Sequence, residues 1–214
     1  MKIGILGSGD VGQAIGRGLV TLGHDVHLGS RAAANERALV WARAMGPKAS
    51  VGTFADSASF GELVVLATLG IAADSALAIA GLERFRGKVV IDATNPLAVT
   101  PGVAPALAIA GEDSGGERVQ RLLPEARVVK AFNTVGFPLM FRPELPGGPP
   151  DMFIAGNDAA AKAVVTDLLK GFGWGAVDTG GIASSRYLEA MCLVWILSAA
   201  TSGNWNQAFK MLRK

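Results

Sequence analysis

The sequence predicts an α/β fold in which a doubly wound, mostly parallel sheet carries a small helical part at its carboxyl end. Short apolar runs alternate with helix-like segments along most of the 214 residues. This alternation is typical of parallel strands joined by right-handed crossovers. A glycine-rich turn at residues 7–12 directly follows the first apolar run, at residues 2–6. Because such a turn joins the first strand to the first helix of a Rossmann sheet, we predict a Rossmann-type fold.

Apolar runs bounded by turn residues predict the strands. The run at residues 63–67 is apolar throughout, as expected for a strand buried on both faces. A short strand is expected near Val51. The other strands are expected at residues 2–6, 25–28, 88–92, 127–132, 152–155 and 176–178.

Helical spacing predicts the connections between these strands. In residues 11–22 the apolar side chains share one face, and Gly23 ends the helix. Further helices are expected at residues 32–45, 72–80 and 159–169, and one helix or two from Ser184 onward. Prolines and paired glycines predict a loop at residues 95–116. With no convincing linker, we expect a nucleotide-binding domain at 1–180 and a helical segment at 181–214, packed on it or on a partner subunit.

Composition limits the function classes. The 20 basic and 18 acidic residues give no signal for nucleic acid or a membrane. The apolar stretch 63–82 has the length of a membrane span, but an acid such as Asp74 is costly in a bilayer. The single cysteine, Cys192, excludes an internal disulfide, and with only two histidines no metal site is expected. We expect a cytoplasmic protein.

The turn Gly7-Ser8-Gly9-Asp10-Val11-Gly12 predicts a dinucleotide site. Gly7 permits a sharp turn off the strand, Gly9 lets a pyrophosphate approach the backbone, and Gly12 lets the helix pack close to the sheet. The free amides at the start of the helix would face the phosphates. Asp10 is unusual beside a pyrophosphate, and we interpret it as a helix cap.

The end of the second strand predicts which nicotinamide cofactor binds. Sites that prefer NAD usually carry an acid there, but this chain reads Gly29-Ser30-Arg31. Ser30 can donate its hydroxyl to a 2′-phosphate, and Arg31 offers that phosphate a planar fork and the adenine a flat face. We therefore predict NADP(H); the alternative is that Ser30 caps the next helix and Arg31 is merely solvated.

These motifs resemble the NADPH-dependent reductases of the deazaflavin coenzyme F420. The nucleotide domain of the STEAP metalloreductases is related and has a similar beginning. The resemblance extends along nearly the whole chain, through the segments Thr21-Leu22-Gly23-His24, Asp92-Ala93-Thr94-Asn95-Pro96-Leu97, Val129-Lys130-Ala131-Phe132-Asn133-Thr134 and Ala183-Ser184-Ser185-Arg186-Tyr187-Leu188-Glu189.

The resemblance implies hydride transfer between a nicotinamide and a deazaflavin, and often a homodimer. Carried over by position, residues 8–11 would meet the pyrophosphate, and Ser30 and Arg31 the 2′-phosphate. Beside the nicotinamide half would lie Thr68, Leu69, Gly70, Asn95 and Pro96. Bordering the second ring would be Asn133, Thr134 and Val135.

The chain differs from the archaeal deazaflavin reductases at three places. Asn35 stands where they carry a basic residue, which Arg37 could replace. Thr68-Leu69-Gly70 stands in place of an Ile-Pro-Trp-like loop, and Asn133 in place of a histidine.

The leading hypothesis is therefore an NADP-dependent oxidoreductase acting on a deazaflavin or flavin-like small-molecule acceptor. No general acid or base is evident, so the catalytic residues stay unknown; hydride transfer between stacked rings depends on proximity more than on proton transfer. Two alternatives stay open. A reductase of a small carbonyl or imine would need a proton donor such as Lys130 or Tyr187. A non-catalytic NADPH-sensing module would need none. The apolar last helix, with Trp195, is expected in the core or at a dimer face.

Overall fold

The computed structural model describes residues 1–214 and contains ten strands. They are β1 (Lys2–Leu6), β2 (Asp25–Ser30), β3 (Ala49–Thr53), β4 (Leu63–Leu66), β5 (Val89–Asp92), β6 (Leu97–Ala98), β7 (Ala106–Leu107), β8 (Arg127–Lys130), β9 (Asp151–Gly156) and β10 (Gly175–Asp178). Eight of them form one sheet in the order β10-β9-β8-β5-β4-β1-β2-β3, and β6 and β7 form a separate hairpin. Within the large sheet, only β8 and β9 pair antiparallel. The predicted doubly wound, mostly parallel sheet is confirmed.

Seven α-helices cover the sheet. They are α1 (Asp10–Thr21), α2 (Glu36–Met45), α3 (Phe54–Phe60), α4 (Ala73–Ala80), α5 (Gly115–Leu122), α6 (Ala159–Gly171) and α7 (Ser185–Ser202). One apolar cluster joins the sheet to α1, α2 and α6, and another joins it to α3, α4 and α5. The carboxyl ends of β1, β2, β4, β5 and β8 therefore meet at one edge of the sheet, between these two layers.

Two short helices, the β6–β7 hairpin and several boundaries differ from the sequence prediction. The sequence analysis missed α3, which begins with a capping box between Thr53 and Asp56. It also missed α5, which lies at the end of the predicted loop and is capped by Ser114. Helix α2 begins at Glu36 rather than near residue 32, because the Asn35 side chain accepts a hydrogen bond from the Ala38 N–H. From Ser184 onward there is one helix, and residues 203–214 have no regular structure.

A buried ion network attaches α7 to the sheet. Lys130, at the end of β8, donates to Asp92 on β5 (2.9 Å) and to Glu189 on α7 (2.7 Å), and all three side chains are fully buried. Glu189 also accepts the free N–H groups of Gly115 and Gly116 at the start of α5, each at 3.0 Å. By burial alone the pKa of Lys130 would fall, but Asp92 and Glu189 raise it above its ordinary value. The lysine is therefore charged in the fold.

Helix α7 is apolar on nearly all sides. Within the segment Ile182–Ser202, a window of 18 residues has a mean hydropathy of 1.2, and 39 % of that window is buried within the protein. By length and composition alone the segment could cross a membrane. Its inner side packs Leu188 against Phe153, Ala155 and Val177 of β9 and β10. Val194 and Leu197 lie on its exposed side. The chain itself thus covers only part of this helix.

The glycine turn allows α1 to begin directly against β1. Gly7 has a φ of +132°, which favours glycine, and a Cβ there would lie 2.3 Å from the carbonyl oxygen of Ala67. A Cβ on Gly12 would lie 1.9 Å from the carbonyl oxygen of Gly7. Around Gly9, in contrast, no atom lies within 4 Å of the corresponding position. Gly7 and Gly12 are thus required by packing, whereas Gly9 borders open space.

Replacing Lys130 should destabilise the protein strongly. In Lys130→Met, Asp92 and Glu189 would remain buried without their cation, and we expect a loss of about 3–5 kcal/mol in the free energy of unfolding. Urea unfolding measures it. The control Lys170→Met removes a lysine from an exposed pair with Asp167 and should change this free energy by less than about 0.5 kcal/mol. Equal effects of the two substitutions would contradict the structural importance of the network.

Gly9 and Gly12, two of the three glycines of the turn, should respond differently to a methyl group. We expect Gly12→Ala to cost about 1–3 kcal/mol, because α1 must move away from the Gly7 carbonyl. Gly9→Ala should cost at most about 1 kcal/mol, since nothing occupies the space and alanine is merely a poorer residue at a helix start. Thermal unfolding of both variants shows which one is less stable. A larger loss of stability in Gly9→Ala than in Gly12→Ala would contradict the assignment of Gly12 as the packed position.

Candidate functional site

The predicted site residues follow five parallel strands, at the same edge of the sheet. The residues at that edge are Gly7, Ser8, Gly9, Asp10, Val11 and Gly12 after β1; Ser30 and Arg31 at the end of β2; Thr68, Leu69 and Gly70 after β4; Asn95 and Pro96 after β5; and Asn133, Thr134 and Val135 after β8.

Direct contacts join these segments into one surface. The Gly7 N–H donates to the carbonyl oxygen of Gly29 at 3.0 Å, which holds the glycine turn beside the end of β2. A Cβ on Gly70 would lie 2.1 Å from the carbonyl oxygen of Asn95, so the loops after β4 and β5 are in close contact. The edge is therefore a continuous cleft floor rather than a set of separate loops.

The glycine turn presents the start of α1 to solvent. Gly9 occupies the capping position, and no side chain satisfies the first amides of the helix. The interpretation of Asp10 as the cap is wrong. Asp10 is the first residue of the helix, and its carboxylate accepts a hydrogen bond from Arg37 of α2 at 2.6 Å. The free amides can therefore receive an anion, and Arg37 offsets the charge of Asp10.

At the end of β2, one cationic side chain is free. Arg31 is exposed and makes no hydrogen bond or ion pair within the chain. Ser30 does not cap α2, because Asn35 takes that position. The hydroxyl of Ser30 donates instead to the carbonyl oxygen of Ala32. The guanidinium of Arg31 is thus available to a ligand at this edge.

A cavity of about 220 Å³ adjoins Arg31. Its walls include Phe54 from α3, Leu69 from the loop after β4, and Ile79 from α4. The hydroxyl oxygen of Thr68, which also lines the cavity, is buried and has no hydrogen-bond partner. The sequence analysis missed Phe54 and Ile79, because nothing in their local pattern distinguishes a cavity wall from ordinary core.

Two asparagines connect the loops after β5 and β8. Asn95 donates its amide to the carbonyl oxygen of Asn133 at 2.8 Å, and Asn133 donates to the Oδ1 of Asn95 at 2.9 Å and to the carbonyl oxygen of Leu188 at 2.9 Å. Because two acceptors surround the Asn133 Nδ2, the orientation of this amide is fixed. Its Oδ1 is buried and accepts no hydrogen bond within the chain.

Of the two side chains considered as proton donors, one is buried and the other is exposed. Lys130 is fully buried in its ion network, and Tyr187 is 71 % exposed on α7. His27 bonds Ser57, and burial lowers its pKa. Burial also raises the pKa of the Cys192 thiol to about 11, which keeps it neutral. No group of three or more His, Cys, Asp or Glu side chains is placed to hold a metal ion.

Comparison with known proteins identifies the family. Residues 2–96 match the family model described as "NADP oxidoreductase coenzyme F420-dependent". The F420-dependent NADP reductase of Methanothermobacter marburgensis is 30 % identical over 200 residues, which cover 88 % of each chain. The rat metalloreductase STEAP3 is 29 % identical over 197 residues, which cover 90 % of this chain.

Two of the matches cover only part of the relative, whereas a solved structure matches along its full length. The match to STEAP3 spans 36 % of that protein, and the F420-dependent NADP reductase of Methanocaldococcus jannaschii is 36 % identical over 111 residues, which cover 51 % of this chain and 49 % of that protein. The crystal structure of a candidate F420-dependent NADP reductase from Arthrobacter sp. FB24 is 40 % identical, with a TM-score of 0.93 and coverage of 100 % of both chains. The chain belongs to the family of F420-dependent NADP oxidoreductases.

Proposed function

We propose that the protein is an NADP(H)-dependent oxidoreductase that transfers hydride between NADPH and a deazaflavin or flavin-like acceptor. The observation that carries the proposal is the end of β2, where the free guanidinium of Arg31 stands in place of the acid that NAD sites use. The hydroxyl of Ser30 lies beside it. Together with the family membership, this favours a cofactor with a phosphate on its adenosine ribose.

The cleft fits the adenosine half of such a cofactor. The pyrophosphate would lie on Gly9, where the backbone is open and the first amides of α1 are unsatisfied. Ser30 and Arg31 would hold the 2′-phosphate. The adenine would lie in the cavity beside Arg31, between the guanidinium plane and the apolar walls of Phe54 and Ile79.

The nicotinamide half would lie across the loops after β4 and β5. The unpartnered oxygens of Thr68 and Asn133 are the acceptors that a ribose hydroxyl or a carboxamide NH₂ would satisfy. Asn95 and Pro96 would support the ring from β5. Asn133, Thr134 and Val135 would border the acceptor.

The side chains of this chain act by position. NADPH supplies the hydride when it is bound, and the transfer to a stacked acceptor ring requires contact between the two rings and exclusion of water. The Asn95–Asn133 pair holds two loops at fixed separation without offering a titratable group. A carbonyl or imine reductase would need a proton donor, and of the two candidates Lys130 is fully buried in its ion network whereas Tyr187 is exposed on α7.

Stopped-flow oxidation of bound NADPH tests the proposal. NADPH is mixed with the protein and then with deazaflavin coenzyme F420, flavins, small ketones and cyclic imines. We expect oxidation by the deazaflavin or the flavins. Turnover of only the carbonyl or imine compounds would favour the second enzymatic function. Binding of NADPH without oxidation by any acceptor would favour a sensing module.

Arg31 should determine the preference for NADPH over NADH. In Arg31→Gln the charge-assisted hydrogen bonds to the 2′-phosphate would be lost, and we expect NADPH to bind at least tenfold more weakly while NADH binding changes little. Arg31→Asp should have a larger effect. The control Arg43→Gln removes an exposed arginine at the end of α2. Titration by tryptophan fluorescence measures the affinities, and equal affinity of the unmodified protein for both cofactors would contradict the assignment.

A cytoplasmic location, where thiols stay reduced, is consistent with the single free cysteine, Cys192.

The exposed side of α7 supports a homodimer. Val194 and Leu197 of this apolar helix are 57 % and 44 % exposed, so two large apolar side chains are in contact with water. A second copy would remove this surface from water. Sedimentation should give a dimer for the unmodified protein and a monomer for Leu197→Glu. Val164→Glu, on the exposed side of α6, should remain dimeric; a monomeric unmodified protein contradicts the proposal.

A further inference from the structure

We propose that Glu189 is a positioning residue for hydride transfer, and that it acts on the side chain of Asn133 through the main chain of α7. This inference rests on the proposed function, because it assumes that Asn133 borders the reacting rings. It goes beyond that function by assigning a role to a buried carboxylate that would touch neither substrate. A displaced Asn133 would slow the transfer and leave the phosphates of the cofactor in place.

The carboxylate of Glu189 holds the first turns of α7 at one place on the sheet. One of its oxygens accepts from the ammonium of Lys130 at 2.7 Å and from the Gly116 N–H at 3.0 Å. The other oxygen accepts from the Gly115 N–H at 3.0 Å. Because Glu189 is fully buried, these donors bond it in the interior of the protein. The position of α7 is therefore defined by the end of β8 and by the start of α5.

The main chain next to Glu189 holds the amide of Asn133. The carbonyl oxygen of Leu188 accepts a hydrogen bond from the Asn133 Nδ2 at 2.9 Å, and the Oδ1 of Asn95 accepts from the same nitrogen at 2.9 Å. Since Leu188 and Glu189 are consecutive, a shift of Glu189 moves the carbonyl group to which Asn133 donates.

Lys130 completes a closed set of contacts between β8 and α7. It lies three residues before Asn133 on the chain, and it bonds Glu189, which directly follows Leu188. Strand and helix are thus joined twice, by an ion pair and by a neutral amide. A charge-assisted hydrogen bond is roughly twice as strong as a neutral one. The ion pair therefore sets the separation of β8 and α7, and the amide of Asn133 follows it.

The backbone just before Asn133 is strained, so its conformation depends on surrounding contacts. Phe132 has a φ of +63°, in the left-handed region that residues with a Cβ rarely adopt. Such a conformation persists only where the neighbouring structure holds it. The ring of Phe132 is buried and packs against Phe172, with 5.3 Å between the ring centres. The core therefore holds this turn on one side, and Leu188 of α7 holds it at Asn133.

A second carboxylate joins α5 to α7 and provides a matched control. Glu117 accepts two hydrogen bonds from Arg186, at 2.7 and 2.8 Å, and its side chain is 13 % exposed. Arg186 is only two residues from Leu188, so this pair holds the same turn of α7. The other partner of the Glu117 carboxylate is Ser114, which caps α5. Glu117→Gln therefore weakens the attachment of α7 without altering its contact with β8.

Hydrogen exchange of the Asn133 side chain tests the positioning role without any substrate. The Nδ2 protons are followed by NMR in protein labelled with ¹⁵N-asparagine, and their signals are assigned by their loss in Asn133→Ala. We expect exchange to be about tenfold faster or more in Glu189→Gln, because a glutamine oxygen cannot accept from all three donors. In Glu117→Gln the exchange should stay unchanged. If Glu189→Gln does not fold, Glu189→Asp, which withdraws the carboxylate by one methylene, gives the same comparison.

The kinetic readout is a loss of kcat without a loss of cofactor affinity. With the acceptor that oxidises NADPH fastest, we expect kcat to fall about tenfold or more in Glu189→Gln, because a small displacement misaligns the rings. The Kd for NADPH should change less than about twofold, since the proposed phosphate contacts lie at Gly9 and Arg31. In the Asn133→Ala background, Glu189→Gln should lower kcat no further, because the side chain that it positions is gone.

The outcomes separate this inference from the proposed function. The positioning role is overturned by unchanged exchange of Asn133 in Glu189→Gln, or by equally fast exchange in Glu117→Gln. It is also overturned if Glu189→Gln lowers kcat as much in the Asn133→Ala background as in the unmodified protein. Faster exchange that is specific to Glu189→Gln, with no oxidation of NADPH by any acceptor, supports the control of Asn133 by Glu189 and contradicts the proposed reaction.

Discussion

The fully buried pairing of Lys130 with Asp92 and Glu189 is the interaction on which the rest of the cleft depends. Two carboxyl groups and one ammonium are fully buried here, and buried polar oxygens are stable only if further donors satisfy them. The structure supplies these donors: Thr94 donates its N–H and hydroxyl to Asp92, and two amides at the start of α5 donate to Glu189. The positive end of α5 thus faces Glu189. Helices α5 and α7 are thus oriented by electrostatics as well as by apolar contact.

The network lies directly below the residues that would contact both substrates. Asp92 ends β5, three residues before Asn95, and Lys130 ends β8, three residues before Asn133. Glu189 follows Leu188, whose carbonyl oxygen accepts a hydrogen bond from Asn133. The positions of the two amides are therefore determined by the same three charged residues. A buried ion network contributes geometric specificity more readily than net stability, and here that specificity concerns the separation of two strand ends.

The sequence is sufficient to predict features that depend on local pattern, and insufficient for those that depend on distant partners. The turn between β1 and α1, the apolar run of β4 and the arrangement of site residues at strand ends all follow from spacing and parallel topology. The role of Asp10 does not, because its partner Arg37 is 27 residues away. Helix α3 has only seven residues and is held by its cap and its packing rather than by periodicity. Phe54, which it contributes to the cavity beside Arg31, could therefore not be identified, and neither could the buried partners of Lys130.

In the proposed site the free guanidinium belongs to Arg31, at the end of β2. The loops after β4, β5 and β8 offer the amides of Asn95 and Asn133, the unpartnered hydroxyl of Thr68 and apolar side chains instead. Hydride transfer between two rings gains little from a fixed charge beside the ring, but much from holding both rings in contact. Binding energy from remote phosphates can supply that alignment. In the proposed arrangement the 2′-phosphate on Arg31 would therefore select NADP(H), and the neutral loops would only have to keep the two rings stacked.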